Sequence, residues 1–140
     1  MRYVLDTDVI VSALRSPTGA SAALLLAALD GSFVMVANVP LVVEYEATCS
    51  LAEHQLAAGL NKHEVGQYLD ALAALVDPVE THFLWRPRLR DPADEMVLEA
   101  AVNGRADAIV TFNHRDYGTI PRDFGIEILK PFEALKRLQQ

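Results

Sequence analysis

The side chains of this chain best suited to chemistry are acids. Asp6 ends the short apolar run Tyr3-Val4-Leu5, and Asn113 and Asp116 follow the run Ala108-Ile109-Val110-Thr111. Glu44 lies on one helical stripe with Leu41, Thr48 and Leu51, and Asp94 on another with Val97, Leu98 and Ala101, by the three- and four-residue spacing of a helix face. Each of these two carboxylates interrupts an inward-looking face. A buried carboxylate is costly without a partner, and no Lys or Arg shares either stripe. A hard divalent cation such as Mg²⁺ or Mn²⁺, which prefers oxygen ligands, is the natural partner. Carboxylates brought together would raise one another's pKa until such an ion relieves them. The ion would then acidify a bound water, and a second would stabilise the leaving oxygen of an in-line displacement.

Taken singly, each acid has a plainer reading. Asp6 suits a turn, Asp8 an N-cap for a turn over residues 9–14, and Asp91 an N-cap. Asp94 suits the first turn of a helix, where negative charge is favoured, and Glu44 a solvated helix face. The convergence of the set outweighs these readings. Other chemistry has little support: His54, His63 and His82 lack ligand spacing, Cys49 has no His partner, and there is no G-x-S-x-G and no phosphate-binding glycine loop. Tyr45 and Tyr68 read as packing residues. The basic, aromatic segment Trp85-Arg86-Pro87-Arg88-Leu89-Arg90 suits either a nucleic-acid backbone with a stacking ring or arginines that screen the acids.

The elements that must position these acids alternate between short β-rich runs and longer helical stretches. Strands are expected at 2–5, 33–37, 79–84, 108–111 and 126–129. Helices are expected at 20–29, from Pro40 to about His54, from Asn61 (capped with Glu64) to before Pro78, from Asp91-Pro92 to Gly104, and from Pro131. Strands separated by helices imply an α/β fold with a parallel sheet covered on both faces. In such sheets ligands bind beyond the carboxyl ends of the strands, and Asp6, Glu44, Asp94 and Asp116 all map to that edge. With 140 residues and 51% apolar composition, the expectation is one domain spanning 1–140. A lone cysteine, no signal-like N-terminus and no apolar run near the ~20 residues of a membrane span point to a cytoplasmic protein. The formal charge of −7 speaks against a general nucleic-acid coat, but not against a nuclease whose carboxylates hold metal.

In order and spacing, Asp6-Thr7-Asp8-Val9-Ile10-Val11-Ser12-Ala13-Leu14, Pro40-Leu41-Val42-Val43-Glu44-Tyr45, Arg90-Asp91-Pro92-Ala93-Asp94-Glu95, Thr111-Phe112-Asn113-His114-Arg115-Asp116-Tyr117 and the terminal Ile128-Leu129-Lys130-Pro131 segment resemble the motifs of PIN domains. The nearest likeness is to the bacterial PIN proteins described as toxins of toxin–antitoxin modules. The resemblance implies an α/β/α sandwich around about five parallel strands. It implies a metal-dependent endoribonuclease with ligands Asp6, Glu44, Asp94 and Asp116, supported by Asp8, Thr111 and Asn113. It also implies an RNA substrate, a small basic antitoxin as partner and a possible homodimer. Asn113 stands where many relatives have Asp, which bears on whether one metal or two is held. Two alternatives stand beside this reading. One is a PIN scaffold that binds RNA or a partner without cutting. The other is a phosphatase of the haloacid-dehalogenase type, which the run Tyr3-Val4-Leu5-Asp6-Thr7-Asp8-Val9 fits but for which Lys62, Lys130 and Lys136 are poorly placed.

Overall fold

The structure, a computed structural model, describes residues 1–81, 89 and 91–140. Five strands, β1 (Arg2–Leu5), β2 (Val34–Ala37), β3 (Val76–Pro78), β4 (Ala108–Val110) and β5 (Glu127–Leu129), form one sheet in the order β3-β2-β1-β4-β5. Every pairing is parallel, with Tyr3 opposite Met35 on one side and Ala108 on the other. Tyr3, Val4, Leu5, Met35, Val36, Ile109 and Val110 are buried. Such unbroken apolar strands mark a parallel sheet covered on both faces.

The helices are α1 (Thr7–Arg15), α2 (Ala20–Leu29), α3 (Val39–Cys49), α4 (Ala52–Ala58), α5 (Lys62–Leu75), α6 (Pro92–Asn103), α7 (His114–Tyr117) and α8 (Pro131–Leu138), with a 3₁₀ turn at Ile120–Phe124. They complete an α/β/α sandwich. Helix α6 packs on β1, β2 and β4, α1 packs on α2, α3 and α4, and α2 packs on α8. The expected caps are in place. Asn61 and Glu64 bond each other's backbone N–H at 2.8 and 3.0 Å, and Asp91 accepts from Ala93 N at 2.9 Å ahead of Pro92.

Three expectations are corrected. The helix begun near Pro40 ends at Cys49, not His54, and a second helix follows a turn. Its inward face is Leu41, Tyr45 and Cys49, while Leu51 is 47% exposed; once Cys49 is packed, the chain has no further apolar residue to bury in that phase. The third strand is Val76–Pro78, not 79–84. Val76 pairs with Met35 and Pro78 with Ala37, and Val79 N adds one more bond to Ala37 O. A proline is tolerated there because β3 is the sheet's edge. Residues 82–84 lie outside the described residues. Finally, Asp6 rather than Asp8 caps α1, since its side chain accepts from Thr7 N at 2.7 Å.

Gly104 ends α6 where any side chain would collide. A Cβ there would lie 2.7 Å from Ala100 O and 2.8 Å from Val79 Cγ2, and the Gly104 carbonyl accepts from Arg2 Nε at 2.9 Å. Arg2 also pairs with Asp77 at 2.9 Å, and its backbone N–H bonds Asp107 at 2.8 Å.

Candidate active site

The chain builds outward from β1 to β2 and β3, then returns past β1 to β4 and β5. The order therefore reverses between β1 and β4, and the crevice beyond such a reversal is where open parallel sheets bind ligands. Asp6 leaves β1 there, its N–H bonded to Val110 O at 2.9 Å. Thr111 leaves β4 beside it, its N–H bonded to Leu129 O at 2.9 Å.

The hydrogen bonds around Asp6 are fully specified. Oδ1 accepts from Thr7 N at 2.7 Å, and Oδ2 accepts from Thr111 Oγ1 at 2.8 Å and from Tyr117 Oη at 3.0 Å. Thr111 Oγ1 accepts from Asn113 N at 3.0 Å, so its single proton goes to Asp6 rather than to Asp8 Oδ2 at 3.4 Å. Asp8 Oδ2 is instead held by Phe112 N at 3.1 Å and Asn113 Nδ2 at 2.9 Å. Asp8 Oδ1 is buried and has no partner among the described residues. Beneath Asp6, Tyr45 donates its hydroxyl proton to Leu5 O, which ties α3 to the end of β1, and Tyr68 donates to Ile10 O at 2.8 Å.

The acids disfavour one another's charge. Burial holds the Asp6 carboxyl above its ordinary value despite its hydrogen bonds, and the charge of Asp116 adds to this. Burial, and then the charge on Asp6, pushes Asp8 up to about 6. Burial, and then Asp6, Asp91 and Asp116, pushes Asp94 up to about 6. Burial and the charges of Asp6 and Asp94 drive the Tyr117 hydroxyl far above its usual range, so it stays a donor. Asp94, in the first turn of α6, and Asp116, on α7, line a cleft of ≈ 390 Å³ with Asp91, Arg115 and Tyr117.

Asp6, Asp94 and Asp116 are thus brought near one another, with Asp8, Thr111 and Asn113 as a connected web. Glu44 is half-buried on α3, where it accepts from Thr48 Oγ1 at 3.3 Å; no contact links it to Asp6. Trp85, Arg86, Arg88 and Arg90 lie outside the described residues. Sequence reasoning missed the part played by Tyr117. The available signal was a tyrosine between a glycine and an acid at the end of an apolar strand's loop, because a buried tyrosine hydroxyl must find an acceptor.

Among the described residues, no Lys or Arg pairs with Asp6, Asp8, Asp94 or Asp116. Neither are three or more His, Cys, Asp or Glu side chains already gathered for a metal ion. Carboxylates that raise one another's pKa stay apart until a cation offsets their charge. An all-oxygen donor set, one of its buried oxygens without a partner, fits a hard divalent ion.

A family model described as PIN domain matches residues 2–115. This span includes Asp6, Glu44 and Asp94 and stops one residue before Asp116. No curated protein matches the chain. In fold the chain is similar to one in the crystal structure of VapBC2 from Rickettsia felis bound to a DNA fragment from their promoter. The TM-score is 0.62 at 15% identity, over 93% of this chain and 98% of that one.

Proposed function

Because the chain belongs to the PIN-domain family, we propose that it is a metal-dependent endoribonuclease that serves as the toxin of a toxin–antitoxin pair. The observation that carries this reading is the set of carboxylates at the sheet's reversal point, where the pKa values of Asp6 and Asp94 are raised and no Lys or Arg among the described residues forms an ion pair with them. Asp6, Glu44, Asp94 and Asp116 are the residues that would hold Mg²⁺ or Mn²⁺. When bound, such an ion supplies an acidified water as nucleophile and offsets the charge that builds on the phosphate. The chain's own groups do the positioning. Thr111 and Tyr117 fix Asp6, while Asn113 and the Phe112 N–H fix Asp8. Asn113 donates its side-chain N–H to Asp8, which ties the two residues together. No side chain need act as nucleophile, and Asp6 is ill-suited to attack a phosphate: it is 8% exposed and accepts three hydrogen bonds.

RNA as substrate follows from the family. The partner is supported by the likeness to a chain of a VapBC2 complex and by charge. A protein of net charge −7 is matched by an inhibitor rich in Lys or Arg, whose guanidinium groups could pair bidentately with the carboxylates. A homodimer is part of the same reading, as is action in the cytoplasm; no single helix among the described residues is long and apolar enough to cross a membrane.

The test is to incubate the purified protein with end-labelled single-stranded RNA in Mg²⁺ or in chelator. Internal cuts that need the metal and vanish in Asp6→Asn are expected. RNA held but never cut would make the protein a binding module. Hydrolysis of an aryl phosphate through an acid-stable aspartyl-phosphate would make it a phosphatase.

A further inference from the structure

Two hollows flank the acids, and each carries an arginine. One, of ≈ 350 Å³, is lined by Asp8, Ser12, Arg15, Ser16 and Phe112; the other is the Asp94–Asp116 cleft with Arg115. Asp6 lies between them, bonded to Tyr117 in the wall of one and sharing Thr111 with Asp8 in the wall of the other. Phe112 is 48% exposed, although its backbone is pinned by the bond to Asp8 at 3.1 Å. Its flanking residues Thr111 and Asn113 hold Asp6 and Asp8. A half-exposed phenylalanine is ordinary on its own. Here the ring stands over a hollow at the low end of ligand-pocket size, on a backbone fixed by the acids themselves. Arg15 is exposed, and its nearest polar contact is His54 Nδ1 at 3.4 Å. Neither Arg15 nor Arg115 has a carboxylate partner among the described residues, in a chain with 19 acids and 12 basic residues.

We propose that a single-stranded RNA crosses the acids from one hollow to the other, with one base stacked on Phe112, its phosphate on Arg15 and the phosphate beyond the cut on Arg115. Base–aromatic stacking tolerates any sequence because every base has a π face. A cation on each side of an anionic site holds the flanking phosphates while leaving the central one to the metal. The track selects single strands, because the base on Phe112 must be unstacked from its neighbours. It rests on the ribonuclease reading and goes beyond it by naming the contacts that set substrate class.

The test uses the full-length protein with a short fluorescent single-stranded RNA, measuring binding in chelator and cleavage in Mg²⁺. Phe112→Ala is expected to weaken binding and raise KM by roughly tenfold, the scale of one lost base stack, with Phe112→Trp restoring both. Arg15→Gln and Arg115→Gln should each reduce the salt slope of binding by about 0.7. Mn²⁺ affinity, read by paramagnetic resonance, should stay as in the wild type for Phe112→Ala and Arg15→Gln. If the wild type cuts RNA and these variants bind and cut equally well, the track is overturned while the ribonuclease stands. If the wild type neither binds nor cuts single-stranded RNA, the ribonuclease reading falls and the track with it.

Discussion

Tyr117 and Thr111 occupy one oxygen of Asp6 between them, and this arrangement can be weighed by removing one donor. A hydrogen bond to a charged group contributes about 1.5–3 kcal/mol, so Tyr117→Phe should destabilise the protein by about that much at neutral pH in urea denaturation. The loss should shrink in acid, where Asp6 is protonated in both proteins. An equal loss at every pH would mean that the ring's packing, not its hydroxyl, was being measured. The acids make a second expectation. Asp8 and Asp94 have folded pKa values raised to about 6 from an ordinary 3.8, so the native state takes up their protons first. Their stabilisation is fully present below the unfolded value and is lost as pH rises through about 6. The metal-free protein should therefore melt higher at pH 5 than at pH 7, and Asp8→Asn should narrow the gap; a flat melting profile across that interval would contradict the burial of these groups. Glu127 works the opposite way, its carboxyl held low by Arg137, but its loss begins only in more acid solution. At this scale the acids could be picked out from the sequence alone, Glu44 and Asp94 because each broke an apolar helical stripe, Asp6 and Asp116 because each follows an apolar strand. The bonds between them could not, because Thr111 and Tyr117 meet Asp6 across 105 and 111 positions of chain, and no local pattern records such a meeting.

Elements with a start signal were read well, and those defined by a partner were not. The Asn61–Glu64 box, the Asp91-Pro92 entry and the Gly104 exit all sit where local chemistry dictates. The division between α3 and α4 has no breaker residue. It follows from what Cys49 packs against, a tertiary matter. The third strand, read at 79–84 but found at Val76–Pro78, exists only because β2 offers a ladder in that register. The four-residue α7 and the 3₁₀ turn are too short for periodicity to announce. Gly104 gives this scale its test. Its φ is −86, within reach of any residue, so the requirement is space alone. Gly104→Ala should cost about 1–3 kcal/mol, as overpacking does, seen as a melting temperature lowered by several degrees. An alanine variant as stable as the parent would show that the Ala100 carbonyl and Val79 both give way.

The whole molecule places an anionic site in an acidic protein, and the proposed function reconciles the two through bound cations. Mg²⁺ at a hundredfold excess over its Kd should add about 2.7 kcal/mol to stability, with little or no gain in Asp6→Asn; equal gains in both would locate the ions elsewhere. A basic inhibitor reaching the same carboxylates must oppose the metal, and linkage makes the opposition mutual. Calorimetric titration of a basic inhibitor of this protein at low and high Mg²⁺ should therefore give a lower affinity at high metal, whereas identical affinities would mean that inhibition does not occlude the site. The placing of β1 at the centre of the sheet, between β2 and β4, has one more consequence, in the time of synthesis. The first strand made gains its second neighbour only when β4 (Ala108–Val110) has followed it. Asp6 is translated early, yet the tyrosine that orients it follows 111 residues later, which at ~5–20 residues per second is a delay of roughly 6–20 s. Until then a growing chain on the ribosome, itself a body of RNA, carries Asp6 without the hydroxyls of Thr111 and Tyr117 that hold it. On the proposed reading, such a chain would cut nothing until its synthesis is nearly complete, and an inhibitor would meet only finished molecules.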